Sequence, residues 1–306
     1  PRIVFWLGAI LIGVVSVLFA RMADAVQWLF KSFVTTEFPN FLAPLLVSPV
    51  VFAGCAYATI KFFPNTQGSG IPQAIAARHL REDEQRSRLL SPRLAVGKIL
   101  LTVAGLFGGA SIGREGPTVQ VGASVMLQAA RWGGMAQAHG LILAGSAAGI
   151  AAAFNTPLAG IVFAIEEMSR SYHSRTNGTV LTAVILSGLS AMALLGNYTY
   201  FGHSAAVISS GMEWLTAILC GIVGGVLGAF FSRSAIFLSL RIKRWTLPDP
   251  VRRAVWLAGV CGLATALIGI ASGGSTFGTG YEQASAALEG SAPPVLYFCE
   301  KMVASF

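Results

Sequence analysis

The chain of 306 residues has a formal net charge of +8, is 54% apolar and carries only 11% charged residues, whereas a soluble domain carries about 25%. This excludes an ordinary water-soluble domain. Eleven of the 21 Lys and Arg residues lie in two clusters, Arg78, Arg81, Arg86, Arg88, Arg93 and Lys98, then Arg241, Lys243, Arg244, Arg252 and Arg253. Positive charge gathered between apolar runs marks cytoplasmic loops, so the surplus sets topology and no nucleic-acid partner is expected.

In chain order, residues 3–20 are uncharged and long enough to cross a hydrocarbon core of about 30 Å. A secretory leader is the other reading. It is set aside because the run exceeds a leader's apolar core and no small-residue cleavage site follows. Next come two glycine-rich interruptions with an early proline, GSGIP at 68–72 and GREGP at 113–117, the chemistry of a helix N-terminus. The stretch 132–165 has no charged side chain over 34 positions, too long for one span. It should break at Asn155-Thr156-Pro157, since Pro removes a donor and the residue before it avoids the helical region, with Asn155 expected to cap the second piece. Residues 214–232 and 254–281 supply further apolar runs, while 196–212 and 272–293 hold no Lys or Arg and read as outside. The small residues of 105–111, 144–153 and 221–229 are assigned to close helix packing. The whole is an all-α, polytopic membrane protein in a lipid bilayer.

Breaks inside lipid survive only where protein buries them or where they line an aqueous cavity, and several in one chain point to a substrate site near the midplane. In GSGIP, Gly68 and Gly70 let backbone approach a ligand, Ser69 offers a hydroxyl, and the helix that follows presents free amides at its positive end. That combination binds anions; an N-cap serine on an ordinary helix is the plainer reading. GREGP repeats the design with a carboxylate where an anion could sit. If the amides of Gly113 and Gly116 surround a hollow, Glu115 can enter it as a surrogate anion when ionised and leave when protonated. Arg114 is expected to be a structural partner or an outward charge. In NTPLAGIVFAIEEM (155–168), Glu166 and Glu167 oppose the helix dipole. They either sit at a solvated end beside Arg170 and Arg175, or one of them faces inward as a proton relay; adjacent helical residues diverge by about 100°.

Cys55, Cys220, Cys261 and Cys299 are widely spaced, as are His79, His139, His173 and His203, so neither a disulfide framework nor a metal site is expected, and no cofactor. An intramembrane hydrolase would need a Ser-His or Asp-Asp pair or H-E-x-x-H. None of these is present, and no enzyme is expected.

GSGIP, GREGP and AAAFNTPLAG-x4-IEEM (151–168), in this order and spacing, resemble the CLC chloride channel and transporter family, most closely its bacterial proton-coupled members. The resemblance implies a fold of two inverted halves with tilted and half-spanning helices, 1–195 the first half and 212–306 the start of the second, within one incomplete transmembrane domain. It implies a homodimer and a bacterial inner-membrane location. Chloride would be bound by Ser69 and the amides near Gly70 and Ile71, with Glu115 as the gating and external proton glutamate and Glu167 as the internal one. Lys98 stands where the family often has a lysine, and Glu166 and Arg114 are supporting residues. An acidic Glu167 favours a chloride/proton exchanger over a passive channel. The family continues with a G-x-F-x-P helix start, and the chain ends at Phe306 in what resembles the helix before it.

Overall fold

The computed structural model describes residues 2–34, 42–135, 138–169, 174–196, 199–202, 204, 207, 210–291 and 294–305. Arg170, His173 and His203 lie outside these residues, and the side chain of Arg175 is not described.

The described residues form helices joined by turns, with no strand among them. The first half runs α1 (Arg2–Phe33), α2 (Ala43–Lys61), α3 (Ile71–His79), α4 (Asp83–Ser87), α5 (Pro92–Phe107), α6 (Glu115–Trp132), α7 (Ala138–Phe154), α8 (Pro157–Phe163), a π-turn (Ala164–Ser169) and α9 (Ser174–Leu195). Then follow α10 (Gly211–Thr246), α11 (Pro250–Ala271), α12 (Tyr281–Leu288) and α13 (Tyr297–Ala304). Six stretches among the described residues are long and apolar enough to cross a membrane. The protein is an integral, multi-pass membrane protein.

The core is built by α6, α7, α9 and α1, around Val119, Ala123, Met126, Ile142, Ala147 and Val184. Small residues let backbones touch there. A Cβ on Gly149 would lie 2.6 Å from Thr118 O, and one on Gly160 would lie 2.6 Å from Ala147 O. The packing role expected of 144–153 therefore holds. Along 221–229, a Cβ on Gly221, Gly224, Gly225 or Gly228 would meet nothing within 4 Å among the described residues.

The long uncharged stretch divides where the proline requires. α7 ends at Phe154 and α8 begins at Pro157. The cap differs from expectation. Thr156 occupies the N-cap position without a side-chain bond, and Asn155 instead takes a left-handed φ of 53°, a conformation asparagine tolerates better than most residues. The reversal between helices is thus made at Asn155, which leaves its side chain out of the capping position.

Candidate functional site: two interrupted helices and a carboxylate

The turn before α3 is forced by its glycines. Gly68 and Gly70 have φ of 70° and 95°, where a Cβ would be strained, and Gly70 is the helix N-cap. Ser69 is exposed between them, its Oγ 3.4 Å from the Ile71 amide. Lys98, at 2% exposure, donates from Nζ to Thr66 O at 2.7 Å and to Gly68 O. Its charge is spent on fixing this turn from behind. Arg78 is equally buried, at 5%. Two members of the first basic cluster are therefore interior residues bonded to backbone carbonyls, where they were expected to be cytoplasmic loop charges. Intramembrane cations take such partners, and a count of charges along the chain cannot reveal it.

The second interrupted turn packs directly on the first. A Cβ on Gly116 would lie 2.9 Å from Ser69 Cβ and 3.0 Å from Ser69 O, and one on Gly70 would lie 2.8 Å from Gln120 Cβ. The N-terminal ends of α3 and α6 converge, with Ser69, Gly70, Ile71 and Gly116 in one place. Only glycine at 70 and 116 permits this approach.

Glu115 opens α6, where a negative charge suits the helix dipole. Its Oε1 accepts a 3.0 Å hydrogen bond from the Tyr200 hydroxyl, and its Oε2 lies so close to Gly113 that a Cβ there would collide with it. Arg114 turns away toward α1, donating to Asp24 Oδ1 at 2.6 Å and to Ala20 O at 2.8 Å. Arg114 ties the loop to α1.

Glu166 and Glu167 sit on the π-turn, a rare element that tends to mark functional sites, and both are exposed. Neither side chain is enclosed by the described residues. The turn is anchored from α3. Arg78 donates from Nη1 to Met168 O and from Nε to His139 Nε2 at 2.9 Å, while His139 Nδ1 lies 2.9 Å from Arg78 O. With Nε2 accepting, the ring is the neutral tautomer protonated at Nδ1. One short helix thus has the Ser69 turn at its start and the glutamate-bearing turn gripped at its end.

A family model described as voltage gated chloride channel matches residues 50–306. The chain belongs to the voltage-gated chloride channel family. Among solved structures, it is similar to a slow cyanobacterial Cl−/H+ antiporter at 23% identity and a TM-score of 0.81, covering 100% of this chain and 72% of that one. It is also similar to a CLC-type fluoride/proton antiporter at 22% identity and a TM-score of 0.80, covering 99% and 73%. A eukaryotic CLC transporter matches at 22% identity and a TM-score of 0.70, covering 87% and 49%. At these identities the structures establish the fold.

This member of the voltage-gated chloride channel family holds a second copy of the Ser69 turn that the motif reading missed. Thr66-Gln67-Gly68-Ser69-Gly70-Ile71-Pro72-Gln73-Ala74 recurs as Thr276-Phe277-Gly278-Thr279-Gly280-Tyr281-Glu282-Gln283-Ala284. Gly278 and Gly280 have φ of 75° and 78°. The Tyr281 amide lies 3.4 Å from Thr279 Oγ1, and Lys301 Nζ donates to Thr276 O and Gly278 O at 2.8 and 2.6 Å. Lys301 repeats Lys98, down to a hydroxyl four residues on that bonds its carbonyl at 2.8 Å, Thr102 in one case and Ser305 in the other. The copies differ in what faces them. Thr279 N donates to Gln27 Oε1 at 3.0 Å, so a side-chain oxygen already occupies the second turn. The shared T-x-G-[ST]-G-x-x-Q-A pattern could have revealed the repeat. Tyr200, 85 residues from Glu115, carried no comparable signal.

Proposed function

We propose that the protein exchanges chloride for protons across the bacterial inner membrane, as a homodimer with one pathway per subunit. Chloride binds at the converging N-termini of α3 and α6, against the Ser69 hydroxyl and the amides near Gly70, Ile71, Gly113 and Gly116. Ionised Glu115 competes for that place, and protonation from outside removes it. The proton passes to and from the cytoplasm by way of Glu167, with Glu166 beside it, and Lys98 and Arg114 hold the two turns in position. Residues 1–195 are the first inverted half and 212–306 the start of the second. The observation that carries this reading is the apposition of Gly116 with Ser69, which puts a carboxylate-bearing helix start beside an anion-binding one. The repeated turn in the second half supports the division into halves, and the exposure of Glu167 on a π-turn is compatible with proton exchange with water.

The test is the full-length protein in liposomes under a chloride gradient, with external pH recorded with and without a proton ionophore. Uphill proton movement is expected. Chloride flux without it would make the protein a passive channel. Glu115→Gln should abolish proton coupling and leave chloride movement passive, whereas Glu167→Gln should cut proton flux more than about tenfold and retain chloride flux. Uphill proton pumping by Glu167→Gln would overturn the relay assignment.

A further inference from the structure

The only described side chain that hydrogen-bonds the Glu115 carboxylate comes from the loop between α9 and α10. Tyr200 is 7% exposed, and its hydroxyl donates to Glu115 Oε1 at 3.0 Å. The ring is wedged in edge-on contacts with Phe154, Phe201 and Tyr281 at centroid distances of 5.2, 4.8 and 5.0 Å. The backbone is held as well, since the Tyr281 hydroxyl donates to Tyr200 O. Tyr281 is the first residue of α12, directly after the repeated turn, so the second half clamps the residue that grips the carboxylate of the first. Burial, and then the adjacent carboxylate, push the Tyr200 phenol above its ordinary value while Arg114 pulls the other way; it remains a donor at physiological pH.

Tyr200 and Arg114 also line a cavity of about 460 Å3 between the end of α1 and the start of α12. The charged and titratable groups facing it are Arg21, Asp24 and Lys31 from α1, Arg114 from the loop before α6, and Tyr281 and Glu282 from α12. Two of the cations are already engaged, Arg114 with Asp24 and Lys31 with Glu282, at 2.6 Å each. Tyr200 is the group among these that reaches the carboxylate with a hydrogen bond.

We infer that Tyr200 is an outer latch, a positioning residue that holds ionised Glu115 at the Gly113 edge of the proposed chloride site and keeps it from reaching Ser69, so lowering the competition chloride meets at the Ser69–Gly116 apposition. The inference rests on the proposed role of Glu115. A hydroxyl bonded to an ionised carboxylate stabilises that form and does much less for the neutral acid. The latch therefore acts where Glu115 is charged and is idle where it is protonated.

The experiment measures chloride binding by calorimetry, and flux in liposomes, on the full-length protein with Tyr200→Phe, which keeps the wedged ring and removes the hydroxyl. At about pH 7.5, where a free carboxylate is ionised, the apparent chloride dissociation constant should rise about five- to tenfold; at about pH 4, where a free carboxylate is largely protonated, the rise should be clearly smaller. In a Glu115→Ala background the same substitution should change nothing at either pH. Tyr281→Phe, which frees the Tyr200 backbone, should give a smaller rise with the same pH dependence. An equal rise at both pH values, or one that persists in Glu115→Ala, would show that Tyr200 acts through the fold and overturn the latch. If Glu115→Ala uncouples protons while Tyr200→Phe binds chloride normally, the latch alone fails; if Glu115→Ala still couples protons, the reading beneath it fails too.

Discussion

Gly116 shows how much rests on one missing methyl group. Its neighbour across the site is Ser69, and a Cβ there would sit 2.9 Å from the serine Cβ and 3.0 Å from its carbonyl oxygen, closer than non-bonded atoms tolerate. Gly116→Ala must push the two helix starts apart by several tenths of an ångström, so chloride binding should weaken at least tenfold. Gly54→Ala on α2, where a Cβ would meet nothing within 4 Å, should leave binding unchanged and gain up to about 1 kcal/mol of helix propensity. Calorimetry on the pair separates close approach from a general effect of losing glycine. Glu115, Gly70 and Ser69 were legible in the sequence because glycine, proline and a charge inside an apolar run are each costly in lipid and call for a reason. Tyr200 was not legible, because an aromatic in a polar loop violates no local rule and its partner comes from a distant segment.

At the scale of elements, buried cations hold the interrupted turns. Lys98→Met would keep most of the volume of the side chain but leave the Thr66 and Gly68 carbonyls without their donor, at about 1–3 kcal/mol for each buried group left unpaired. The melting temperature should fall and chloride flux should drop with it. Arg78 works at the opposite end of α3, so Arg78→Ala should loosen the π-turn and reduce proton flux more than chloride flux, a split that simultaneous recording of both fluxes would expose. The sequence offered these residues only as members of a basic cluster. Spacing counts charges, whereas burial decides what they do. The break at Asn155-Thr156-Pro157 was readable because Pro157 lacks an amide, but its cap was misassigned. Asparagine serves equally as a cap and in the left-handed conformation, and the tertiary turn selected the second.

For the whole molecule, the charge pattern places 272–293 outside and 241–253 inside. In a background free of Cys55, Cys220, Cys261 and Cys299, Ser291→Cys should react with a membrane-impermeant thiol reagent only from outside and Leu247→Cys only from inside. Labelling of both from one side would refute the topology. The duplicated turn was present in the sequence all along, but its second copy has Thr for Ser and Tyr-Glu for Ile-Pro. Those changes removed the proline that drew attention to the first.

α1 carries Asp24, Gln27 and Lys31 within its final turns. The first of these binds Arg114 of one loop, the second Thr279 of the other, and the third Glu282 just beyond it. The rim around Glu115 is therefore slung from a single beam at both of its ends. When lipid of a different thickness tilts that beam, the two loops are carried along together and keep their spacing. Turnover should respond to acyl-chain length while the number of chloride ions moved per proton stays constant, a comparison that liposomes of short and long lipids can make.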